Sequence, residues 1–217
     1  MQAKRRDRGA SVNARAGRKA QFRIDSEGWI EAPGGGASIR PSTHCDARPD
    51  GVAASLVVIH NISLPPGEFG GDAVERLFRD TLDFDAHPYY AALRELAVSA
   101  HFLIRRDGSL VQFVSCEARA WHAGVSSFEG RMHCNDFSIG IELEGSDDCL
   151  FADAQYATLA HLTEALKQRY PLAAVAGHSD IAPGRKTDPG PHFDWDRYAG
   201  AIGFYLRRAS TPKVRCG

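Results

Sequence analysis

Hydrophobic and polar positions along this chain follow both a strand period and a helix period. Residues 55–60 form a short apolar, β-branched run, which indicates a buried strand. Residues 137–144 alternate strictly, with Ile139 and Ile141 on one face and Glu142 on the other, so we expect a strand with one half-exposed face. Leucines at helical spacing predict a helix over residues 153–170, which Asp153 caps and a proline ends.

Shorter signals complete the pattern. Residues 98–114 predict a hairpin, because an Asp-Gly pair separates two apolar arms. We expect a short helix over 72–79, a strand over 175–178 and a last helix over 194–208. Strands that precede, separate and follow helices predict an α/β (or α+β) fold, with a central mixed β-sheet and flanking helices.

The charge is unevenly distributed. The whole chain has a net charge of -1, but eight basic residues against one acid give residues 1–24 a charge of +7 and the remainder -8. Such a like-charge block is typical of a disordered tail; a contact with nucleic acid or an anionic membrane is the alternative. We therefore expect a basic, disordered extension over 1–27, one domain over 28–208 and a tail over 209–217.

The composition also indicates a compartment. The five cysteines are scattered and form no Cys-x-x-Cys pair, which favours free thiols in a reducing environment. No apolar run is long enough for a membrane helix, and the basic head lacks the apolar core of a secretory signal. We expect a cytoplasmic monomer that has neither nucleic acid nor membrane as a partner.

The loop over residues 177–191 carries the most informative chemistry. It holds His178, Lys186 and Asp188 between several glycines and prolines. A hydrolytic zinc site takes three protein ligands and leaves one position open. His60, at the end of the first buried strand, is the candidate third ligand, although spacing alone does not bring it to His178. Ligand type favours one Zn²⁺ per chain and leaves manganese or cobalt open.

Three further side chains suit such a centre. Glu142 is a candidate general base, with Glu144 on the same face as its competitor; the alternative is a solvated carboxylate. Lys186 is a solvated loop charge or a partner for the negative charge that develops on a carbonyl oxygen. Trp121, followed by a histidine, is either a structural tryptophan or a contact for a sugar ring or acyl chain.

Five stretches of the chain, in this order and nearly without gaps, resemble the AmpD family of cytosolic 1,6-anhydro-N-acetylmuramyl-L-alanine amidases of Gram-negative bacteria. The resemblance spans about residues 28–198 and implies the fold of phage amidase lysozymes and peptidoglycan recognition proteins. The stretches are 57–71 (VVIHNISLPPGEFGG), 99–108 (SAHFLIRRDG), 119–127 (RAWHAGVSS), 134–145 (CNDFSIGIELEG) and 177–191 (GHSDIAPGRKTDPGP).

The resemblance implies a zinc amidase that hydrolyses the lactyl–L-alanine amide of 1,6-anhydromuropeptides in cell-wall recycling and so limits β-lactamase induction. Carried over by position, it implies the following roles: His60, His178 and Asp188 as zinc ligands, Glu142 as general base, Lys186 as oxyanion partner, and Asn61, Trp121 and Arg185 as substrate contacts.

The chain departs from the family pattern at two positions. Ala97 and His133 stand where the family carries arginines that look like partners for carboxylates of the stem peptide. We therefore expect the same reaction with an altered dependence on the end of the peptide. Residues 81–96 are a candidate mobile flap over the site.

Three alternatives remain open at this point. A non-catalytic peptidoglycan-binding module would lack a zinc ligand. An amidase of intact peptidoglycan would need export or lysis. A zinc peptidase of another specificity would release different products.

Overall fold

A seven-stranded mixed sheet forms the centre of the structure, a computed structural model that describes residues 22–202 and the backbone of residues 207 and 208. The predictions for residues 1–21, 203–206 and 209–217 lie outside this range. The strands are β1 Arg23–Ile24, β2 Ile30–Glu31, β3 Ala37–Ile39, β4 Cys45–Ala47, β5 Leu56–Ile62, β6 Phe102–Ile104, β7 Leu110–Gln112, β8 Ala118–Ala120, β9 Ser127–Phe128, β10 Arg131–Met132, β11 Ser138–Glu144, β12 Ala174–Gly177 and β13 Arg207–Arg208.

Helices flank this sheet, and along the chain they alternate with its strands. The order of strands in the large sheet is β13-β12-β5-β11-β6-β7-β3, and only the β6–β7 hairpin is antiparallel within it. The predicted mixed sheet with flanking helices is therefore confirmed. The helices are α1 Ala73–Phe78, α2 Pro88–Ala91, α3 Asp153–Arg169, α4 His178–Ile181 and α5 Trp195–Ile202, with a 3-10 turn over Cys134–Phe137.

The central strands are buried on both faces. Alternate residues of β5 and β11, among them Ile59 and Ile141, pack with the leucines of α3 in the largest core cluster. The other face of β11 is buried as well, so the half-exposed face expected from its alternation is wrong. Alternation shows which residues share a face, but what covers that face is decided by distant segments.

The helix predicted over residues 153–170 is present, with two differences at its start. Asp153 is its first residue, not its cap. The side chain of Gln155 instead accepts a hydrogen bond from the Ala152 N–H at 2.9 Å. The buried Gln155 amide also donates to the carbonyls of Ile104 and Glu144, so this helix end is tied to two strands.

The helix predicted over residues 194–208 is wrong at its end. It is helical from Trp195 to Ile202, but Arg207 and Arg208 form a strand parallel to β12. The edge of β12 offers unpaired backbone groups, and pairing with them outweighs the local helical pattern.

The domain also begins earlier than predicted. Phe22 is only 1% exposed and lies in the main core cluster, and Arg23–Ile24 pairs with Ile30–Glu31. The disorder expected over residues 1–27 is therefore wrong for residues 22–27, because the apolar side chain of Phe22 outweighs the basic composition around it.

Candidate metal centre

Three neighbouring parallel strands bring the central side chains together. In the register of β11 on β5, Glu142 lies beside His60. In the register of β12 on β5, Gly177 lies beside Ile59, so His178 follows next to His60. Since the carboxyl ends of parallel strands meet at one edge of the sheet, residues that are far apart in the sequence converge there.

The loop after α4 turns back to add a carboxylate. The Ser179 N–H donates to the Asp188 carbonyl at 2.9 Å, which fixes the end of the loop against the start of the helix. The side chain of Asp180 accepts from the Gly177 N–H at 2.8 Å and so closes the first turn of α4, which begins at His178. Asp188 is thereby held beside both histidines.

The donor atoms of His60, His178 and Asp188 form a compact triangle. His60 Nδ1 lies 3.0 Å from His178 Nδ1 and 2.9 Å from Asp188 Oδ2, and His178 Nδ1 lies 3.1 Å from the same oxygen. All three atoms are candidate ligands for one ion. Zn–N and Zn–O bonds of about 2.0–2.2 Å would join a shared ion to ligand atoms about 3 Å apart, so two imidazoles and one carboxylate fit zinc.

The outer nitrogen of His178 sets its tautomer. Nε2 lies 3.2 Å from the carbonyl oxygen of Ala123, which can only accept, so Nε2 carries the proton. Nδ1 of the neutral ring then presents its lone pair to the triangle, as a metal ligand must.

Electrostatics in the triangle favour a neutral His60 and an ionised Asp188. Burial lowers the pKa of His60 and outweighs the opposite effect of the neighbouring Asp188 carboxylate. Burial alone would raise the pKa of Asp188, but the imidazoles of His178 and His60 beside it hold that pKa well below its ordinary value. These are the protonation states in which the two groups bind a cation.

Glu142 is buried beside the triangle and is incompletely satisfied. It is 8% exposed, and its Oε2 has no hydrogen-bond partner. Burial and, to a smaller extent, the charge of Asp188 raise its pKa well above the ordinary value, although Lys186 acts in the other direction. The alternative of a solvated carboxylate is therefore wrong. A general base needs a raised pKa and a free oxygen, and the role of Glu142 as that base stays a prediction.

Glu144, the competing carboxylate, is already engaged. Its Oε1 accepts from the Gly70 N–H at 2.7 Å and its Oε2 from the Arg106 N–H at 3.0 Å. Arg105 lies 3.5 Å away as an ion partner. Glu144 therefore ties loops to the end of β11 and leaves the site to Glu142.

A cleft of about 280 Å³ opens beside the triangle. Glu142 and Lys186 line it together with the three candidate ligands. The segment over residues 81–96 contributes to its far wall, and whether that segment moves stays a prediction. The apolar and aromatic side chains that line the cleft are Ile62, Leu64, Leu77, Phe78, Tyr89, Leu93, Leu96, Val98 and Trp121.

The three predicted substrate contacts have different surroundings. Asn61 and Trp121 line the cleft; the amide of Asn61 donates to Asp147 at 2.7 Å, and Trp121 stacks on His44. Arg185 donates to the carbonyls of Ala123 at 2.9 Å and Val125 at 2.6 Å, which holds the loop behind His178. Their contacts with a substrate stay predictions.

The two departures from the family pattern are both exposed. Ala97 directly precedes Val98 in the wall of the cleft. His133 has a left-handed backbone at the start of the 3-10 turn, and its N–H donates to the carbonyl of Ser126.

The sequence interpretation missed the groups behind the ligands. His122, considered there only beside Trp121 as a sugar contact, is buried against His60. Ser138 and Asn135 are bonded to His122 or to its backbone. A glycine inside a strand indicates the close approach of another group, and Gly140 is such a signal.

Comparison with known proteins agrees with this geometry. A profile of the N-acetylmuramoyl-L-alanine amidase family matches residues 50–191. The 1,6-anhydro-N-acetylmuramyl-L-alanine amidase AmpD of Citrobacter freundii is 57% identical over 178 residues, which cover 81% of this chain and 93% of that protein. The chain belongs to the N-acetylmuramoyl-L-alanine amidase family. The predicted AmpD-type amidase is confirmed.

Solved structures place the amidase in the same group. A crystal structure of a selenomethionine AmpD derivative is 57% identical, with a TM-score of 0.77 over 81% of this chain and 97% of that one. AmiD of Escherichia coli was solved with the substrate anhydro-N-acetylmuramic acid-L-Ala-D-gamma-Glu-L-Lys. It is 27% identical, with a TM-score of 0.51 over 84% of this chain and 66% of that one. In the described part of the amidase, no helix is both long and apolar enough to cross a membrane.

Proposed function

We propose that the amidase hydrolyses the amide between the lactyl group of a 1,6-anhydromuramyl sugar and L-alanine, with one zinc ion held by His60, His178 and Asp188. The observation that carries this proposal is the triangle of three donor atoms about 3 Å apart, with the unpartnered oxygen of Glu142 beside it. A bound zinc ion supplies Lewis-acid activation of water and of the scissile carbonyl.

The chain's own residues complete the chemistry. Glu142 removes the proton from the attacking water and later delivers it to the leaving amine of alanine, since its raised pKa suits both steps. Lys186, which lines the same cleft, adds positive charge where the carbonyl oxygen becomes negative.

The substrate class is supported by the relatives. The name of the Citrobacter freundii protein specifies 1,6-anhydro-N-acetylmuramyl-L-alanine, and the AmiD complex holds an anhydromuramyl tripeptide. We assign the sugar and lactyl side of such a substrate to Trp121 and Asn61, and a contact with the peptide to Arg185. Turnover of this substrate class is a step of cell-wall recycling. Removal of these muropeptides by the amidase would limit β-lactamase induction.

We also propose that the amidase works in the cytoplasm as a monomer. Its four cysteines within the described residues are free thiols, as is usual in a reducing compartment. Such a location favours soluble muropeptide fragments over the intact wall as substrate.

Product analysis tests this function. Purified protein is incubated with anhydromuramyl-tripeptide, with and without a chelator, and the products are identified by mass spectrometry. We expect free tripeptide and anhydromuramic acid, no reaction after chelation, and recovery on addition of zinc. Cleavage within the peptide would indicate a peptidase and contradict the proposal.

A second arm separates the amidase from its alternatives. Intact sacculi are incubated with the same protein and their turbidity is followed. We expect no clearing on the time scale of muropeptide turnover. Rapid clearing would indicate an amidase of intact peptidoglycan, and binding without any product would indicate a recognition module.

A further inference from the structure

The outer nitrogen of His60 has an unusual partner. In most metal sites this N–H donates to a carboxylate, a backbone carbonyl or water. Here Nε2 of His60 lies 3.0 Å from Nδ1 of His122, a second buried imidazole. Two imidazole nitrogens at this distance share one proton, so the tautomer of His122 decides which nitrogen of His60 keeps a lone pair.

Ser138 determines that tautomer. Its Oγ lies 2.6 Å from the carbonyl oxygen of Cys134, and only the hydroxyl can supply the proton between these two oxygens. The same Oγ lies 3.2 Å from Nε2 of His122 and, having used its proton, accepts there. Nε2 of His122 therefore carries the proton, and Nδ1 of the neutral ring accepts from His60.

The direction of these hydrogen bonds also decides which nitrogen of His60 can bind a metal. With its proton on Nε2, His60 presents the lone pair of Nδ1 to the triangle it forms with His178 and Asp188. The opposite direction would put a proton on Nδ1 of His60, where it would exclude a cation. One backbone carbonyl, that of Cys134, is the acceptor at the end of this hydrogen-bond chain.

Gly140 makes room for the His122 ring. A Cβ at this position would overlap the carbon and nitrogen atoms of that ring. The strand cannot move away without loss, because the Gly140 N–H donates to Nδ1 of His101 at 3.0 Å and its carbonyl accepts from the His101 N–H at 3.1 Å. Ser138 and Gly140 thus present one face of β11 to His122, two positions apart.

The backbone of His122 is fixed from the other side. The side-chain oxygen of Asn135 accepts from the N–H of His122 at 3.2 Å and from the N–H of Ala123 at 2.8 Å. The Ala123 carbonyl is the acceptor for His178. One dipeptide therefore supports both imidazoles of the triangle, His60 through a side chain and His178 through a carbonyl.

We propose that His122, oriented by Ser138 and seated on Gly140, is a positioning residue that holds His60 in its metal-binding tautomer. This inference rests on the proposed zinc site. The segment Ser138–Glu142 of β11 then has two roles. Ser138 and Gly140 support a ligand through His122, and Glu142 transfers the proton.

Zinc affinity, measured by competition with a chromophoric chelator, is the first test. We expect Ser138→Ala and His122→Phe to weaken zinc binding about 10- to 100-fold. His122→Asn should weaken it less, because its side-chain oxygen can replace Nδ1 as acceptor. Gly140→Ala, which keeps every polar atom, should weaken it by displacing the ring.

Matched controls separate this role from a general loss of stability. Thr163→Ala removes an equally buried hydroxyl on α3, which bonds to the Leu159 carbonyl of the same helix and to the Tyr198 hydroxyl on α5, outside the site. Gly71→Ala adds a Cβ in open space. Both should bind zinc like the wild type. If Thr163→Ala and Ser138→Ala lose equal stability and equal affinity, the positioning role is overturned.

Nitrogen NMR of histidine-labelled protein gives a readout that does not depend on activity. In the zinc-loaded wild type we expect the proton on Nε2 of His60 and on Nε2 of His122. A proton on Nδ1 of His122, or Ser138→Ala and His122→Phe variants with wild-type zinc affinity, would overturn the inference. If the wild type itself binds no zinc, the proposed metal site fails and this inference fails with it.

Discussion

Glu142 shows how one carboxylate acquires chemistry from its surroundings. It lies beside His60 in the sheet register, is almost completely buried, and leaves one oxygen without a partner. A buried carboxylate without hydrogen-bond donors holds a proton more tightly than one in water. Glu144, two residues later on the same strand, is bonded to two backbone N–H groups and cannot take this role.

Removal of the Glu142 carboxylate should separate catalysis from metal binding. We expect Glu142→Gln, which keeps the size of the side chain, to lower kcat/KM by about 10²–10⁴-fold because the general base is lost. Zinc content, measured by atomic emission, should stay at one ion per chain. Near-normal turnover would place the base elsewhere, and loss of zinc would make Glu142 a ligand.

The same substitution should change how the stability of the metal-free protein depends on pH. Folding raises the pKa of Glu142 above its ordinary value of 4.5, so the folded state favours the protonated form. Its contribution to stability is present below that value and is lost as the pH rises. Metal-free Glu142→Gln should therefore have a higher Tm than metal-free wild type at pH 8, with the gap closing near pH 4. An equal gap at both pH values would contradict this.

At the scale of elements, the short hairpin β1–β2 behaves as part of the domain. The Ile30 N–H donates to the side-chain oxygen of Gln112 at 2.6 Å. The side-chain nitrogen of Gln112 in turn donates to the Gly28 carbonyl at 2.8 Å. Phe22 adds its ring to the core beside α3. A few residues at the beginning of the described chain therefore lock β7 and the main helix together.

Truncations on either side of Phe22 should differ sharply. We expect a chain that begins at Phe22 to keep the full free energy of unfolding, since the removed residues are a like-charge block. A chain that begins at Gly28 loses the Phe22 ring and strand β1. Phe22→Ala in the full chain should cost about 3–5 kcal/mol in urea unfolding. Equal stability of the two truncated chains would show that the hairpin contributes nothing.

At the scale of the whole molecule, the candidate zinc site connects distant parts of the chain. His60 and Asp188 are 128 residues apart, and their contact forms only in the folded sheet. An ion that binds the folded state alone stabilises it by about 4 kcal/mol at a free concentration of 1,000 Kd. Zinc should therefore raise the Tm and a chelator should lower it. His178→Ala should abolish the shift, and a shift that persists in this variant would contradict the ligand set.

Ala97 and His133, the two departures from the family pattern, should change how the activity of the amidase depends on the stem peptide of its substrate. Without the arginines expected at positions 97 and 133, we predict that kcat/KM depends less on the terminal carboxylate of the stem peptide. Comparing tripeptide and dipeptide substrates measures this dependence. Ala97→Arg should increase the preference for the longer peptide. If the wild type prefers the tripeptide as strongly as the Ala97→Arg variant does, the prediction is contradicted.

Local pattern predicted much of this molecule. The period of residues 153–170 and the apolar run before His60 each specify an element through neighbours in the chain, so helix α3 and strand β5 are where the sequence predicts them. His178 and Asp188 lie in one loop, ten residues apart, so the sequence itself indicates a pair of candidate ligands there. The sequence does not predict the strand at Arg207–Arg208, because only pairing with the edge of β12 makes that strand favourable.

By itself, then, the sequence determined the elements, the family and the identity of the chemical groups, since periodicity and motifs are properties of neighbouring residues. The tertiary structure decided which of these groups meet. His60 and His178 are 118 residues apart, and the burial of Glu142 comes with a strand face that is covered by other segments, not by its own alternation. The tautomer that we assign to His60 depends on His122 and Ser138, because proton positions follow from partners that only the fold brings within hydrogen-bond distance.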